Sequence, residues 1–405
     1  MSKVPLTVSQ TQLDNPWRSR IGILLCAHAV GTLHSVSVLA LAPVIRPDLG
    51  LNFAEFGLLM TAYSAGQVTG SVPSGAYVDR VGVGWGLVTA CVILCTGAVI
   101  LTQADGHSLA LLAMLVIGWG YSLTNPATAR GVLEWFPPNR RATAIGVKQT
   151  GVPVGGVLAA GTLVLSAYMA WQSIIWIIIA TTIANALICA SLVQKPKPRE
   201  TSRGNLFIEI YRLFGDRNLG ALFLASGFFN TGQYNFFTYL TSFMRDAVQT
   251  SQELASLTLG LAQAVSAAGR IGWGALSDTM FHGKRKWLTV AVCLAAALFF
   301  VAMAAAGRLE ATALGIGIAI LLGLTIASYA TLMQTMSVEA VPPDNAGAAL
   351  GYTSLGSHTG AMVGPPIFGA VIDATGRFSD GYLLTGAIVA FGVLLFVVLF
   401  REKRH

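Results

Sequence analysis

Phe136-Pro137-Pro138-Asn139, followed by Ala144-Ile145-Gly146, returns 205 residues later as Val341-Pro342-Pro343-Asp344 followed by Ala349-Leu350-Gly351. The same offset pairs Glu134 with Glu339, Gly151 with Gly356 and Gly155 with Gly360. A second correspondence joins Gly75-Ala76-Tyr77-Val78-Asp79 to Gly274-Ala275-Leu276-Ser277-Asp278. Chance would not set two separate matches at equivalent points of two half-chains. The chain reads as one structural unit used twice.

Composition says what that unit is made of. Of 405 residues, 54% are hydrophobic and 11% charged, against roughly 25% charged in a soluble protein. Charge is scarce because each ionised group costs a few kcal/mol in lipid. A span needs roughly 20 apolar residues as helix. Twelve stretches qualify: 21–45, 54–78, 83–103, 108–135, 142–167, 171–193, 219–244, 253–277, 287–306, 311–336, 345–372 and 380–400. The fold class is therefore an all-α polytopic membrane protein with two six-helix halves. Ala40-Leu41-Ala42 mimics a signal-peptide cleavage site. The apolar stretch is long for a signal, however, and Pro43 follows directly. The five cysteines (Cys26, Cys91, Cys95, Cys189, Cys293) lie in apolar stretches without metal-ligand spacing. They read as small packing residues, and neither metal nor cofactor is expected.

The net charge of +7 reflects topology rather than nucleic-acid binding. With the N-terminus inside, eighteen basic residues fall in cytoplasmic segments; only Arg46, Arg245, Arg308 and Arg377 fall opposite. That bias places both termini in the cytoplasm of a bacterial-type inner membrane. The domain plan is a tail over 1–20, a bundle over 21–194, a basic linker over 195–218, a second bundle over 219–400 and a tail over 401–405. A short amphipathic helix is expected at Leu206–Leu213.

Gly75-Ala76-Tyr77-Val78-Asp79-Arg80-Val81-Gly82 resembles the loop signature of the major facilitator superfamily, and the resemblance extends over essentially the whole chain. It implies a secondary transporter whose halves rock about a central cavity to give alternating access. It also implies that Asp79, Arg80 and Asp278 act as conformational latches. The first copy has Val83-Gly84-Trp85 where the second has Lys284-Arg285-Lys286 nearby, so a weaker first latch is expected. Arg270, four residues before Gly274, is similar in placement to the substrate arginine of several bacterial small-anion carriers of the oxalate/formate, monocarboxylate and nitrate or cyanate groups.

The residues support an anion site on their own terms. A guanidinium deep in a span suits a carboxylate through paired hydrogen bonds, and intramembrane charge is functional by default. Gln263 and Ser266 share the Arg270 stripe at helical spacing. Tyr121 and Asn125 offer uncharged hydrogen bonds on the fourth span; Tyr63 with Gln67, and Asn230, Gln233 and Tyr234, form similar patches on the second and seventh. Arg130 is expected to pair with Glu134 one turn on. Lys148, beside Gln149 and Thr150, is read for gating or substrate contact, against snorkelling to the interface.

No Asp or Glu occupies the middle of a span, which leaves His358, His28 and His34 as titratable candidates for carrying a coupling proton. His28 and His34 are six apart and cannot share one site. The expected cargo is a small, carboxylate-type anion, moved by a monomer by symport or antiport. The alternative, suggested by a glycine- and proline-rich fifth span and an aromatic seventh, is proton-driven efflux of lipophilic compounds. No nucleophile–base arrangement, metal cluster or phosphate loop points to an enzyme.

Overall fold

The computed structural model describes residues 16–137, 140–193, 215–281, 284–342 and 345–401. The Leu206–Leu213 helix, most of the linker and the outer tails lie outside the described residues, as do Pro138, Asn139, Pro343 and Asp344. Twelve spans follow one another. They are α1 (Ile21–Ala40), α2 (53–81), α3 (83–102), α4 (His107–Trp135), α5 (Arg141–Gln149 continued by Gly151–Leu165) and α6 (Trp171–Ala190). The second half holds α7 (Arg217–Ser242), α8 (Gln252–Thr279), α9 (Lys286–Arg308), α10 (Thr312–Leu324 and Ala330–Glu339), α11 (Ala346–Thr375) and α12 (Phe378–Leu399). The expected spans fall on these helices. A short helix, Ala42–Asp48, continues the line of α1.

Local chemistry sets the boundaries. Asn52 and Glu55 form a reciprocal capping box at the start of α2, while Asp216 and Ser251 cap α7 and α8. The break between α2 and α3 is Gly82, at φ +86°, where a side chain would be strained. It ends the signature read from sequence. Seven helices are by themselves long and apolar enough to cross a membrane. α2, α5, α7, α10 and α11 are the more polar or interrupted spans. Polar groups inside a membrane belong where they meet protein or water rather than lipid, and these five helices do.

The unwound stretch of α10, residues 325–329, leaves backbone carbonyls without helical donors. α8 supplies them. Ser266 Oγ donates to Ala327 O at 2.9 Å, Arg270 Nη2 to the same oxygen at 3.4 Å, and Trp273 Nε1 to Leu324 O at 2.7 Å. Side-chain repair of a broken helix is what a lipid-immersed backbone requires.

The halves meet chiefly along α2 with α11 and α5 with α8. A set of hydrogen bonds that crosses between them lies toward one face, opposite the face that carries Asp79 and Asp278 (hereafter the basic face). Asp373 of α11 receives the backbone N–H groups of Phe53 and Ala54, at 3.0 and 2.8 Å. A carboxylate thus caps a helix N-terminus in the other half, where the dipole favours it. Tyr239 donates to Phe53 O and Pro365 O, at 2.8 and 2.7 Å. Thr241 reaches Leu39 O, Ser256 reaches Ala160 O, and Arg46 faces Asp246 at 3.9 Å. At Gly369 a methyl would stand 2.3 Å from Phe53 O, so only glycine lets α2 and α11 approach this closely.

Pro366 has no N–H, so the carbonyl four residues earlier, Met362 O, lacks its helical donor. Thr61 Oγ1 of α2 donates to it. A hydroxyl of one half therefore completes the backbone of the other.

Candidate functional site

Toward the basic face the halves part. A cavity of about 640 Å³ opens there, walled by Gln149, Thr150 and Pro153 of α5, Arg270 of α8, and Thr331 and Gln334 of α10. That volume falls in the range of small-molecule sites. The structure is closed at one face and open at the other.

Arg270 projects into this cavity. Its only hydrogen bond among the described residues is the long one to Ala327 O, and its Nε is buried without a partner. No described carboxylate pairs with it; Asp278, eight residues on, is bound to Arg285 instead. Tyr121 of α4 and Tyr329 of α10 lie within its electrostatic reach. A guanidinium has five donors, so this one retains most of its capacity for an incoming acceptor.

In the first half, α1, α4 and α5 bring three of the residues singled out from sequence, His28, Asn125 and Lys148, together with Thr128. Lys148 is buried, 1% exposed, and its Nζ donates to Asn125 Oδ1 and Thr128 Oγ1, both at 3.0 Å. His28 Nε2 stands 3.4 Å from Nζ and 3.0 Å from Thr128 Oγ1. Gly151 permits this meeting, since a methyl there would lie 2.8 Å from His28 Cβ. Lys148 does not snorkel to the interface. Asn125 faces the open space while it holds the ammonium.

Tyr63, Tyr121 and Tyr234 lie near one another. Tyr121 accepts a hydrogen bond from Thr32 at 3.5 Å, its ring 6.3 Å from that of Tyr63. Tyr234 of α7 faces Gln67 and Ser64 of α2. Gln233 is partly exposed one residue away. Gln263 meets α5, its carboxamide 2.5 Å from where a side chain at Gly156 would begin. Gln263 is thus as much an interface residue as a cavity one.

Other candidates lie elsewhere. Both ends of the Asn230 carboxamide are committed within the second half: Nδ2 donates to Ser357 O at 2.7 Å, and Oδ1 faces Tyr329 OH at 3.4 Å. His34 points to α6 and bonds Thr182 Oγ1 at 2.8 Å. The two histidines of α1 face different neighbours, as their spacing predicts. His358 has a buried Nδ1 without a partner. α11 meets α2 in the register Gly369–Phe53, Pro365–Gly57, Met362–Thr61. His358, one turn further, therefore falls beside the stretch of α2 that carries Ser64 and Gln67.

Asp79 and Asp278, expected to act as latches, sit in two similar triads, each inside one half. Arg130 links Asp79 (3.7 Å), Glu134 and Val78 O (2.6 Å). Arg285 links Asp278 (2.7 Å) and Glu339 (2.8 Å). Arg80 is exposed. The loop cation missing from the first copy is thus replaced from within α4. Arg130, expected to pair with Glu134, meets Asp79 as well.

Sequence reasoning missed Tyr329, Thr32, Thr61 and Asp373. Tyr329 was signalled by polar Thr325 and Ser328 within an apolar span. Thr61 was signalled by Pro365-Pro366, which must leave carbonyls in need of donors.

A family model described as Major Facilitator Superfamily matches residues 23–320 and 311–405. A hexuronate transporter of Bacillus subtilis is 27% identical, with 95% of each chain covered. A probable sulfoacetate transporter of Cupriavidus necator is 24% identical, over 92% of this chain and 91% of the other. Among solved structures, a bacterial homologue of the human lysosomal transporter Spinster, inward-facing and occupied, aligns with a TM-score of 0.74. It is 17% identical, with 95% of this chain and 97% of that one covered, and the likeness is one of fold.

Proposed function

We propose, from the premise that this chain belongs to the Major Facilitator Superfamily, that it is a secondary transporter of a small carboxylate-bearing solute. Membership makes it a multi-pass membrane transporter and not an enzyme. The basic face is the cytoplasmic one, so the conformation is open inward. The single observation that carries the anion reading is Arg270: a guanidinium in a cavity, away from every described carboxylate, with one long hydrogen bond to its name. An intramembrane cation of that kind is costly until an anion meets it, and a planar fork is matched to a carboxylate. Carriage of hexuronate and of sulfoacetate by the relatives supports the same class.

Arg270 would hold the carboxylate from the second half, with Tyr121 and Tyr329 beside it. Gln67, Tyr234 and Gln233 would meet the polar body of the solute. Rocking would then open the sealed face and close the basic one. Efflux of lipophilic compounds has no comparable support, because that cargo gains nothing from an unpaired guanidinium.

The test is uptake of radiolabelled sugar acids into proteoliposomes. Arg270→Gln should abolish uptake while purified yield and elution profile stay normal, and Arg270→Lys should retain at most a few per cent. Uptake by Arg270→Gln at the wild-type rate would sink the assignment.

A further inference from the structure

A second basic side chain, Lys148, lies buried behind the cavity wall, and the carboxylate reading does not use it. Lys148 lies in the first half, one residue behind Gln149 and Thr150, which wall the same cavity as Arg270. Its ammonium is held by a carboxamide oxygen and a hydroxyl, with an imidazole nitrogen nearby. All three neighbours are neutral groups, set around the three N–H donors of a charged lysine. No described acid forms an ion pair with Lys148 or with Arg270. Asp79 and Glu134 are engaged by Arg130 at the basic face.

The two charges are spaced along one helix. Tyr121, within reach of Arg270, and Asn125, which holds Lys148, are one turn apart on α4, about 6 Å along its axis. Asn125 is exposed while its Oδ1 holds the buried ammonium, so an acceptor placed beside it would meet Lys148 through the carboxamide. Two basic side chains thus lie here, and no described acid is paired with either. A monoanion on Arg270 leaves one cation uncompensated in a low-dielectric space; a dianion leaves none.

We propose that the preferred cargo is a short dianion, with one acidic group on Arg270 and the second read by Lys148 through the Asn125–Thr128 cradle. The proposal rests on the carboxylate reading above and narrows it: the two relatives' cargoes differ in this respect, hexuronate with one acidic group and sulfoacetate with two. Lys148 is then the residue that sets the charge of the cargo, and each half of the molecule reads one end.

Equilibrium binding to the detergent-purified full chain tests this with two pairs that differ by one negative charge, galactarate against galacturonate and sulfoacetate against acetate. For the wild type, at least one dianion should bind tenfold or more tightly than its monoanionic partner. Lys148→Gln should erase that preference, losing tenfold or more on the dianion and less than threefold on the monoanion; Lys148→Arg should keep it. The proposal is overturned if the wild type binds neither dianion, or binds the monoanions as well or better. It is equally overturned if Lys148→Gln weakens both members of a pair alike. The wild-type comparison stands even if Lys148→Gln does not fold. Arg270→Gln separates the two readings: binding of both acids by that variant removes the carboxylate reading, whereas loss of preference at Lys148 alone leaves it standing.

Discussion

The two faces of this molecule are built from different bonds. At the closed face, Asp373, Thr61, Tyr239, Thr241 and Ser256 each reach across to a backbone atom of the other half. At the basic face, the Arg130 and Arg285 triads join acids of their own half. In the alternating-access cycle proposed above, the crossing bonds are the ones a rocking motion would break, so they would set the balance between inward-open and outward-open states. The triads travel with their halves and act as internal braces in this state.

Substitutions at the closed face should therefore shift the conformational balance, and substitutions at the braces should chiefly lower stability. Asp373→Ala removes two charge-assisted bonds at the α2 N-terminus, worth about 2 kcal/mol. The outward-open population should rise about thirtyfold, read as distances between spin labels on the closed face. An unchanged distance distribution would deny Asp373 a part in the seal. Thr61→Val leaves Met362 O dry and unpaired, at a cost of about 1.5 kcal/mol and roughly a tenfold shift. Tyr239→Phe loses one net bond, about 1 kcal/mol, and faster hydrogen exchange near residue 53 would show it. Arg130→Gln should lower the melting temperature more than Arg285→Gln. The first side chain is 7% exposed and the second 12%, and their exposed acid partners limit both effects to about 1 kcal/mol. A larger loss at Arg285 would reverse the ranking.

The smallest expected effect is one of pH. Asp246 stands beyond the end of α7 at the closed face, where burial raises its carboxyl above the usual value and Arg46 opposes that rise. A raised value means that protonation is favoured in this state relative to one with Asp246 in water. Acidification through that range should thus shift the balance toward the closed outer face, weakly because the side chain is partly exposed. Asp246→Asn should flatten the dependence. A shift toward the outward-open state on acidification would contradict the sign.

The architecture was legible because it depends on features that sequence records directly: apolar length, loop charge and a motif written twice. Gly82 ends its helix where the signature places it, and Glu134 and Glu339 take equivalent places in the two triads. Arg270 was legible as an intramembrane charge. The meeting of Lys148, Asn125 and His28 with Thr128 was not, although the first three had been noticed separately. Three helices must pack before one ammonium finds them. Asn230 shows the converse, for its spacing fits a cavity face while its carboxamide is consumed by Ser357 O. The seal was the least legible part, because its acceptors are main-chain oxygens and its donors include helix-end N–H groups, and such atoms carry no residue identity. Among them only Met362 O was foreshadowed, by the prolines that follow it.

That carbonyl is also where the seal is easiest to reopen. In an unbroken helix Met362 O would be occupied in every state; here Pro366 leaves it vacant in every state, and Thr61 fills the vacancy only while the halves touch. When they separate, the widening crevice admits water, and a water molecule can donate where the hydroxyl did. Opening then exchanges one donor for another instead of stranding a dry oxygen, so hydration of a single main-chain site lowers the threshold between the two faces of the transport cycle.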